Sequence, residues 1–334
     1  MDLTHVTVAV DAMGGDRAPE AVLPGVVAAL QADPALTVAL VGPEEVVVPF
    51  AAERSRVTPV VASQVIAMDE HPATAVRSKP DSSIVVGCRL ARDGAADAFF
   101  SAGSTGACMA AATLIVGRAQ GVSRPAIAAI IPAPSRPVVL LDVGANADCK
   151  PEHLVQFAFM GAAYARTMLG VAQPSVGLLN IGEEPTKGSA LAQAAHELLA
   201  QRVPGFVGNV EGRDLPKGAV DVVVTDGFTG NVALKVMEGL SAVLFSEIKA
   251  AMTSSPVRAA AAAVLKSSLT QLKYRLDPDM YGGAPLLGIK RPCLIGHGSS
   301  GPEAIAAGIA AAARAARLGL VEVVARDIAF AGVA

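Results

Sequence analysis

Residues 125–144, "PAIAAIIPAPSRPVVLLDVG", decide which kind of sheet this chain builds. Two apolar runs of the type found in buried strands flank the short Pro/Ser segment 132–137. Parallel neighbours need a crossover of about a dozen residues or more, so this short connection favours an antiparallel pair. The stretch therefore predicts a mixed sheet.

A strand–turn–helix unit recurs five times around this pair. In each unit a β-branched run ends in a turn of small and polar residues that opens onto an alanine-rich helical stretch. Strands that alternate with helices predict an α/β sheet covered on both faces, built mainly from right-handed crossovers. The five units are "VTVAVDAMGGDRAPEAV" (6–22), "DAFFSAGSTGACMAAA" (97–112), "SVGLLNIGEEPTKGSALA" (175–192), "VDVVVTDGFTGNVALKVM" (220–237) and "CLIGHGSSGPEAIAAGI" (293–309).

Composition excludes several classes of protein. With 334 residues, of which 52% are hydrophobic and 17% charged, the chain is neither disordered nor fibrous. Residues 98–117 are uncharged, but the Ser and Gly within them favour a strand, a turn and a helix over a membrane span. The absence of a signal-peptide pattern and the four scattered cysteines predict a cytoplasmic protein without disulfides or a metal site. No G-x-G-x-x-G follows a strand, so no dinucleotide cofactor is expected. A net charge of -3 and few aromatic residues argue against nucleic-acid binding.

The five turns are candidates for an anion site, because helix N-termini after strands present unpaired N–H groups. Each turn alone has an equally good structural interpretation, but together they favour one shared phosphate site. For Asp11, Asp16 and Asp142, at strand ends or turns, hydrogen bonds to backbone N–H groups are the favoured role. The predicted phosphate- or substrate-binding residues are Gly14, Gly15, Ser101, Gly103, Ser104, Thr105, Gly106, Asn180, Thr186, Gly188, Ser189, Asp226, Thr229, Gly230, Gly298 and Ser299.

The turn "GEEPTKGS", residues 182–189, comes within one exchange of a nucleotide-binding P-loop. A P-loop needs its glycine before the lysine, whereas Lys187 here precedes Gly188. Two glutamates in the turn also disfavour a triphosphate. Orthophosphate needs only a few N–H groups, a hydroxyl such as Thr186 or Ser189, and one cation such as Lys187. The alternative for Lys187 is an ordinary solvated lysine.

Two further turns carry candidate catalytic groups. In "TDGFTGN", residues 225–231, Thr229 can cap a helix that begins near Gly230, and Asn231 can aim its amide N–H into the same crevice. Asp226 is better explained as a turn-forming residue than as a base. His297 is the histidine best placed to act as a general acid, although a structural role fits its flanking glycines equally well.

Residues 256–276, "PVRAAAAAVLKSSLTQLKYRL", predict a basic amphipathic helix within a helical protrusion at 252–280. An anionic protein and an anionic membrane surface are both suitable partners for such a helix, and packing at a dimer interface is the alternative. The predicted contact residues are Arg258, Lys266, Lys273 and Arg275.

Several motifs resemble those of the bacterial phosphate acyltransferases of phospholipid synthesis, the PlsX family. They occur in order from residue 8 to about 300, and so cover nearly the whole chain. Two departures are Ser104, where many relatives have Asn, and residues 295 and 296, where a Lys-Ser pair often precedes the His-Gly that is His297-Gly298 here. The motifs are "VAVDAMGGDRAPE", "MDEHPATAVRSKPDSS", "DVGANADCKPEHLVQFAFMG", "LLNIGEEPTKGS", "NVEGRDLPKGAVDVVVTDGFTGNVALKVMEG", and "YGGAPLLG" followed by "HGSS".

This resemblance implies a reaction in which acyl-[acyl carrier protein] and orthophosphate give acyl-phosphate and the free carrier, feeding glycerol-3-phosphate acylation. It also implies a single three-layer α/β/α domain, residues 1–334, like isocitrate and isopropylmalate dehydrogenases. A homodimer, peripheral contact with the membrane and a downstream glycerol-3-phosphate acyltransferase are implied as well. By motif, Lys187 and Asn231 match positions of the family's active site.

The chemistry of this reaction agrees with the candidate residues. Phosphate is itself the nucleophile, so no Ser or Cys of the enzyme has to be acylated. Lys187 would bind phosphate or the oxyanion, Asn231 would orient one of them, and turn amides would complete the site. The alternatives are a phosphotransacetylase-like enzyme that uses acyl-CoA, a dehydrogenase, and a non-catalytic sensor of phosphate or acyl lipid.

Overall fold

One eleven-stranded sheet runs through the protein and is covered by helices on both faces. The structure is a computed structural model that describes residues 5–276 and 278–332, without the side chains of residues 273, 278 and 279. In chain order the strands are β1 (Val6–Asp11), β2 (Leu36–Gly42), β3 (Val57–Val61), β4 (Ala98–Ser101), β5 (Ala126–Ile131), β6 (Val138–Leu141), β7 (Val176–Asn180), β8 (Phe206–Glu211), β9 (Val222–Val224), β10 (Ala284–Leu287) and β11 (Cys293–Ile295).

The order of strands across the sheet is β3-β2-β1-β4-β11-β10-β5-β6-β9-β7-β8. Most neighbours are parallel, and the antiparallel pairs are β11–β10, β10–β5 and β5–β6. The predicted antiparallel pair is confirmed, with Ala128 opposite Leu141 and Ile131 opposite Val138. The antiparallel β5–β6 pair reverses the strand direction in the second half of the sheet. Strands β6, β9, β7 and β8 therefore run in the direction opposite to that of β1, β4, β11 and β5.

All five predicted strand–turn–helix units are present. The helices are α1 (Val22–Ala32), α2 (Glu44–Ala52), α3 (Pro72–Ser78), α4 (Ser83–Asp93), α5 (Thr105–Ala111), α6 (Pro151–Leu169), α7 (Ala190–Arg202), α8 (Gly227–Thr253), α9 (Pro256–Arg275), α10 (Pro302–Arg317) and α11 (Leu320–Phe330). A π-helical turn, Ala112–Val116, continues α5, and 3-10 helices occupy Gly212–Lys217 and Pro278–Tyr281.

Side-chain alternation along β5 explains the three layers. Ala126, Ala128 and Ile130 belong to a core formed with α6, α7 and α11. Ile127 and Ala129 point to the opposite face and belong to a core formed with α4, α5 and the start of α8. Helices α1 and α10 cover β1, β2 and β4 on the first of these faces. The α/β/α architecture with a mixed, mostly parallel sheet is therefore confirmed.

Two segments bear on membrane contact. Residues 98–117 form β4, a turn, α5 and the π-helical turn, as predicted, and most of their side chains are buried. Helix α8 is long and apolar enough to cross a membrane by length and composition, as is the bent pair α10 and α11 if counted together. Every residue from 239 to 251 in α8 is exposed, so this half of the helix projects from the sheet.

Candidate active site

The candidate turns lie at two opposite edges of the sheet. The turns after β1, β4 and β11 share one edge, which we call the first edge, because these strands are parallel. The turns after β9 and β7 share the opposite edge, the second edge, together with the loop after β6. The prediction that all five turns converge on one anion is therefore wrong, since the β5–β6 pair reverses the second half of the sheet.

At the first edge, the turn residues are used for packing. Asp11 is buried and accepts hydrogen bonds from the Ser101 hydroxyl at 2.7 Å and the Met13 N–H at 3.0 Å. The Ser101 oxygen in turn accepts the Gly103 N–H at 3.0 Å. A Cβ on Gly14 would lie 2.8 Å from that same oxygen. Burial raises the pKa of Asp11, and its hydrogen bonds oppose this shift.

Ser104 has a structural role at this edge. It is the N-cap of α5 and accepts the Ala107 N–H at 3.4 Å, and only 7% of its surface is exposed. Its hydroxyl is therefore engaged by the helix it precedes. Thr105 and Gly106 follow in the first turn of α5 and line a cavity described below.

His297 is held by its own turn. Its Nδ1 lies 2.8 Å from the Ser299 hydroxyl oxygen and accepts the Ser299 N–H at 3.3 Å. Because Nδ1 accepts a backbone N–H, the neutral ring carries its proton on Nε2. The Arg17 guanidinium donates to the Ser299 carbonyl at 3.0 Å, and the Asp16 N–H donates to the Gly298 carbonyl at 2.8 Å. These bonds tie the β11 turn to the β1 turn, which contains Gly15.

At the second edge, Asn180 holds the "GEEPTKGS" loop in place. Its Nδ2 donates to the Lys187 carbonyl at 3.0 Å, and its Oδ1 accepts the Ile181 N–H at 2.8 Å. Gly188 has φ +93°, and a Cβ there would collide with Asn180 Oδ1. The glycine after the lysine is thus required by this backbone conformation.

The same loop leads into α7. Ser189 is the N-cap of this helix and accepts the Ala192 N–H at 3.2 Å. Lys187 is exposed, as is Thr186, and the stem of Lys187 passes 3.1 Å from the position of a Cβ on Gly182. The loop therefore presents a cation and a hydroxyl to solvent in front of a helix N-terminus.

The start of α8 differs from the prediction. Asp226 accepts both the Thr229 N–H and the Thr229 hydroxyl at 2.8 Å, and the helix begins at Gly227. The predicted cap at Thr229 is wrong, because the carboxylate three residues earlier caps the helix first. The structural role predicted for Asp226 is confirmed.

Close backbone contact fixes the position of Asn231. The Gly227 N–H donates to the Asn146 carbonyl at 2.7 Å, and a Cβ on Gly230 would collide with the Asp142 carbonyl oxygen. As a result, the Asn231 side chain lies against Gly144, with 3.9 Å between its Cγ and a Cβ placed on that glycine. Glycine at 227 and 230 therefore allows α8 to place Asn231 beside the loop that follows β6.

Asp142 organises that loop from inside. It is fully buried, and burial raises its pKa, while the hydrogen bonds it accepts oppose this shift. The predicted role in binding backbone N–H groups is confirmed for Asp142 and Asp11. The N–H donors to the Asp142 carboxylate are those of Ile127 at 3.1 Å, Gly144 at 3.2 Å, Ala145 at 3.0 Å and Asn146 at 2.7 Å.

A cavity of about 540 Å³, which we call the main cavity, lies between α5 and α8. Ile127, Ala129 and Ile295 form its apolar floor, and Asn231 and His297 lie at its two ends. A volume of this size is typical of small-molecule sites.

The strand registers give the length of the main cavity. They place His297 level with Ile131, at the first edge. They place Gly144, beside Asn231, level with Pro125, at the second edge. The ends of the cavity are therefore about six residues of β5 apart, roughly 20 Å along the strand direction.

A second cavity, of about 250 Å³, lies between the starts of α7 and α8. Asn180, Gly188, Ser189, Asp226 and Thr229 line it together with leucines from β7 and α6. Asn231 lines the main cavity instead, so the first turn of α8 is a wall shared by both cavities.

The predicted basic helix forms as α9, and several of its apolar side chains are exposed, including Val257 at 80% and Val264 at 81%. At 100° per residue, however, Arg258 and Arg275 fall within the apolar arc. The helix itself is confirmed, but its predicted amphipathic character is wrong. Lys266 lies outside that arc and is exposed, and the side chain of Lys273 lies outside the described residues.

Sequence reasoning missed the walls of the main cavity. Met109 of α5 and Leu234 of α8 both line it, as do Lys235 and Glu238, which form an ion pair at 2.7 Å. Helical spacing from Asn231 to Leu234 and Lys235 could have suggested a shared face. No local signal links α5 to α8, because these helices are more than a hundred residues apart.

The chain is similar to one family of proteins over nearly all of its length. Residues 6–323 match the model of the family described as "Fatty acid synthesis protein". The chain is 48% identical over 325 residues to a phosphate acyltransferase of Desulfitobacterium hafniense (strain Y51), covering 96% of this chain and 97% of the relative. It is 45% identical over 324 residues to that of Brevibacillus brevis, with the same coverage.

Solved structures agree on the fold. A phosphotransacetylase from Streptococcus pyogenes superposes with a TM-score of 0.62 and 16% identity, covering 93% of this chain and 94% of the other. The EutD phosphotransacetylase from Staphylococcus aureus gives a TM-score of 0.60 and 17% identity, with the same coverage. The family match and the similarity to these enzymes over nearly the full length show that the chain, with its α/β/α fold, belongs to the bacterial phosphate acyltransferase family.

Proposed function

We propose that this phosphate acyltransferase transfers the acyl group of acyl-[acyl carrier protein] to orthophosphate, for phospholipid synthesis. The main cavity is the observation that supports this most, because it combines an apolar floor with the amide of Asn231 at one end. An acyl thioester needs both: an apolar surface for its chain and a hydrogen-bond donor for its carbonyl oxygen.

The reaction centre that we propose is at the second edge, around the first turn of α8. A phosphate oxygen attacks the thioester carbonyl carbon, the C–S bond then breaks, and the leaving thiolate takes a proton from water. Asn231 Nδ2 donates to the oxyanion, and one such donor contributes roughly 3 kcal/mol to the transition state. Holding phosphate and thioester together contributes about 7 kcal/mol or more.

Lys187 is the cation that we propose for phosphate. It precedes Gly188 and Ser189, which line the second cavity together with Asp226 and Thr229 at the start of α8. A charge-assisted hydrogen bond from an ammonium group is well suited to a dianion in front of the α7 N-terminus. Thr186 and Ser189 hydroxyls lie in the same loop.

His297 lies at the opposite end of the main cavity, roughly 20 Å from the Asn231 end. It is therefore too far from that centre, within one chain, to protonate the leaving thiol. We expect His297→Gln to keep kcat within a few-fold of wild type across the pH range. If kcat of this variant no longer depended on pH on one side of its optimum, the reaction centre would instead lie at the first edge.

The proposed partners follow from the projecting helices. The exposed apolar side chains of α8 and α9, such as Val236, Leu240, Val257 and Val264, support a homodimer contact and a peripheral membrane contact in the cytoplasm. Lys266, Lys273 and Arg275 would attract acyl carrier protein or anionic lipid. Replacing these three residues with Glu reverses their charge and should weaken binding to the carrier and to vesicles, the latter measured by flotation. Unchanged binding of both would contradict this proposal.

The deciding experiment measures thiol release from acyl-[acyl carrier protein] by the purified protein, with and without phosphate. We expect release only with phosphate, and one hydroxylamine-trapped acyl group for each thiol. The acyl-phosphate formed would then be the substrate of a downstream glycerol-3-phosphate acyltransferase. Faster turnover of acyl-CoA would favour the phosphotransacetylase-like alternative, and no turnover of either thioester would favour a sensor.

A further inference from the structure

We propose that the main cavity holds the acyl chain along its floor and that Ala129 and Leu234 set the length of chain accepted. This inference rests on the proposed function and adds a chain-length determinant to it. Ile127 and Ala129, from alternate positions of β5, are 4% and 9% exposed and form the floor. Met109 of α5 and Leu234 of α8 form the walls.

The polar groups define the direction of the chain. Asn231 and Gly144 lie at the second edge, and the next surface toward the first edge is the apolar floor. A thioester carbonyl at Asn231 Nδ2 therefore directs its alkyl chain along β5, between α5 and α8. The chain would end near Ile295 and the turn of His297.

Length gives a quantitative expectation. An extended alkyl chain with bonds of ~1.5 Å at ~111° advances about 1.25 Å per carbon. The roughly 20 Å between the ends of the main cavity therefore accommodates about sixteen carbons. Ala129 lies four residues along β5 from the level of Gly144, about 13 Å, which corresponds to roughly the tenth carbon.

Filling the cavity at this level should shorten the chain that is accepted. Each methylene that an apolar wall removes from water improves binding by about fourfold. A side chain that displaces three methylenes should therefore reduce the preference for long over short chains by roughly 60-fold. Chains of eight carbons or fewer end before Ala129 and should be unaffected.

The test compares kcat/KM for carrier proteins that bear six- to sixteen-carbon acyl groups. Ala129→Leu fills the floor, and Leu234→Trp narrows the cavity from α8 without altering the sheet. We expect the ratio of sixteen- to eight-carbon activity to fall about 60-fold in Ala129→Leu and by at least as much in Leu234→Trp, with eight-carbon activity retained. Ala52→Leu, on the exposed end of α2, is the matched control and should keep the wild-type profile.

Two outcomes would overturn the inference. One is a chain-length profile that is unchanged in both variants, and the other is an equal loss for every chain length in a folded Leu234→Trp protein. Failure of the proposed function looks different, because then the wild-type protein itself would show no phosphate-dependent thiol release for any chain.

Discussion

The two edges of the sheet use similar residues in different ways. At the first edge, Ser101 and Ser104 are buried and bonded to Asp11 and to the α5 backbone. At the second edge, Lys187 and Asn231 are exposed, and only the backbone around them is fixed, by Asn180, Asp142 and close glycine contacts. Small polar turns therefore serve stability at one edge and offer free functional groups at the other. Substitutions should separate these two roles.

The largest effect should follow from Asn231→Ala. Loss of one oxyanion donor should lower kcat by about 100- to 1,000-fold, while the thermal midpoint changes little because the side chain is exposed. Steady-state kinetics with acyl-[acyl carrier protein], alongside thermal unfolding, measure both. The neighbouring exposed Val232→Ala is the matched control. A near-normal kcat in Asn231→Ala would show that the reaction centre does not lie at the second edge.

Lys187→Ala should have the next largest effect. Loss of a charge-assisted hydrogen bond, worth about 1.5–3 kcal/mol, should raise the KM for phosphate by tenfold or more. Phosphate titration at saturating thioester measures this directly. Lys217→Ala, an exposed lysine elsewhere, controls for the loss of one charge. An unchanged KM for phosphate would show that Lys187 is only a solvated lysine.

Ser101→Ala should act on stability instead. Removing the donor to buried Asp11 should lower the free energy of unfolding by about 1–3 kcal/mol, with activity per folded molecule unchanged. Burial already raises the pKa of Asp11, so its ionisation disfavours the folded state increasingly as pH rises above the unfolded value. The loss in Ser101→Ala should thus be greater at pH 7 than near pH 4. Denaturant unfolding at both pH values tests this.

Ser104→Ala should have the smallest effect. Removing the α5 cap should lower the free energy of unfolding by about 1 kcal/mol or less, because the capping bond is 3.4 Å long. Ser104→Asp restores a cap and should recover the stability. A large loss of kcat in Ser104→Ala, with normal stability, would give the first edge a catalytic role.

The sequence predicts the individual strands and helices better than it predicts which of them lie side by side in the sheet. Segment 132–137 is too short for a crossover, so the antiparallel pair could be read directly. The antiparallel pair alone does not predict that His297 and Asn231 lie far apart. That prediction also requires the knowledge that β9 and β7 continue the sheet beyond β6. That order depends on long-range pairing, which no local pattern encodes.

Local competition explains the remaining error at α8. Asp226 and Thr229 are both good caps, and sequence alone does not rank them. The close approach of Gly230 to the Asp142 carbonyl lets the helix start earlier, at Gly227. Contacts between distant segments thus decided which cap was used.

The central position of β11 has a consequence for the synthesis of the chain. This strand is the last in the sequence, yet it lies between β4 and β10, and Cys293 pairs with Phe99 across 293 − 99 = 194 residues. At about 5–20 residues per second, the ribosome needs roughly 10–40 s to pass from one partner to the other. During that interval β4 is an open edge that can pair with another nascent chain. Molecular chaperones that shield strand edges would therefore matter most for this protein before β11 is translated.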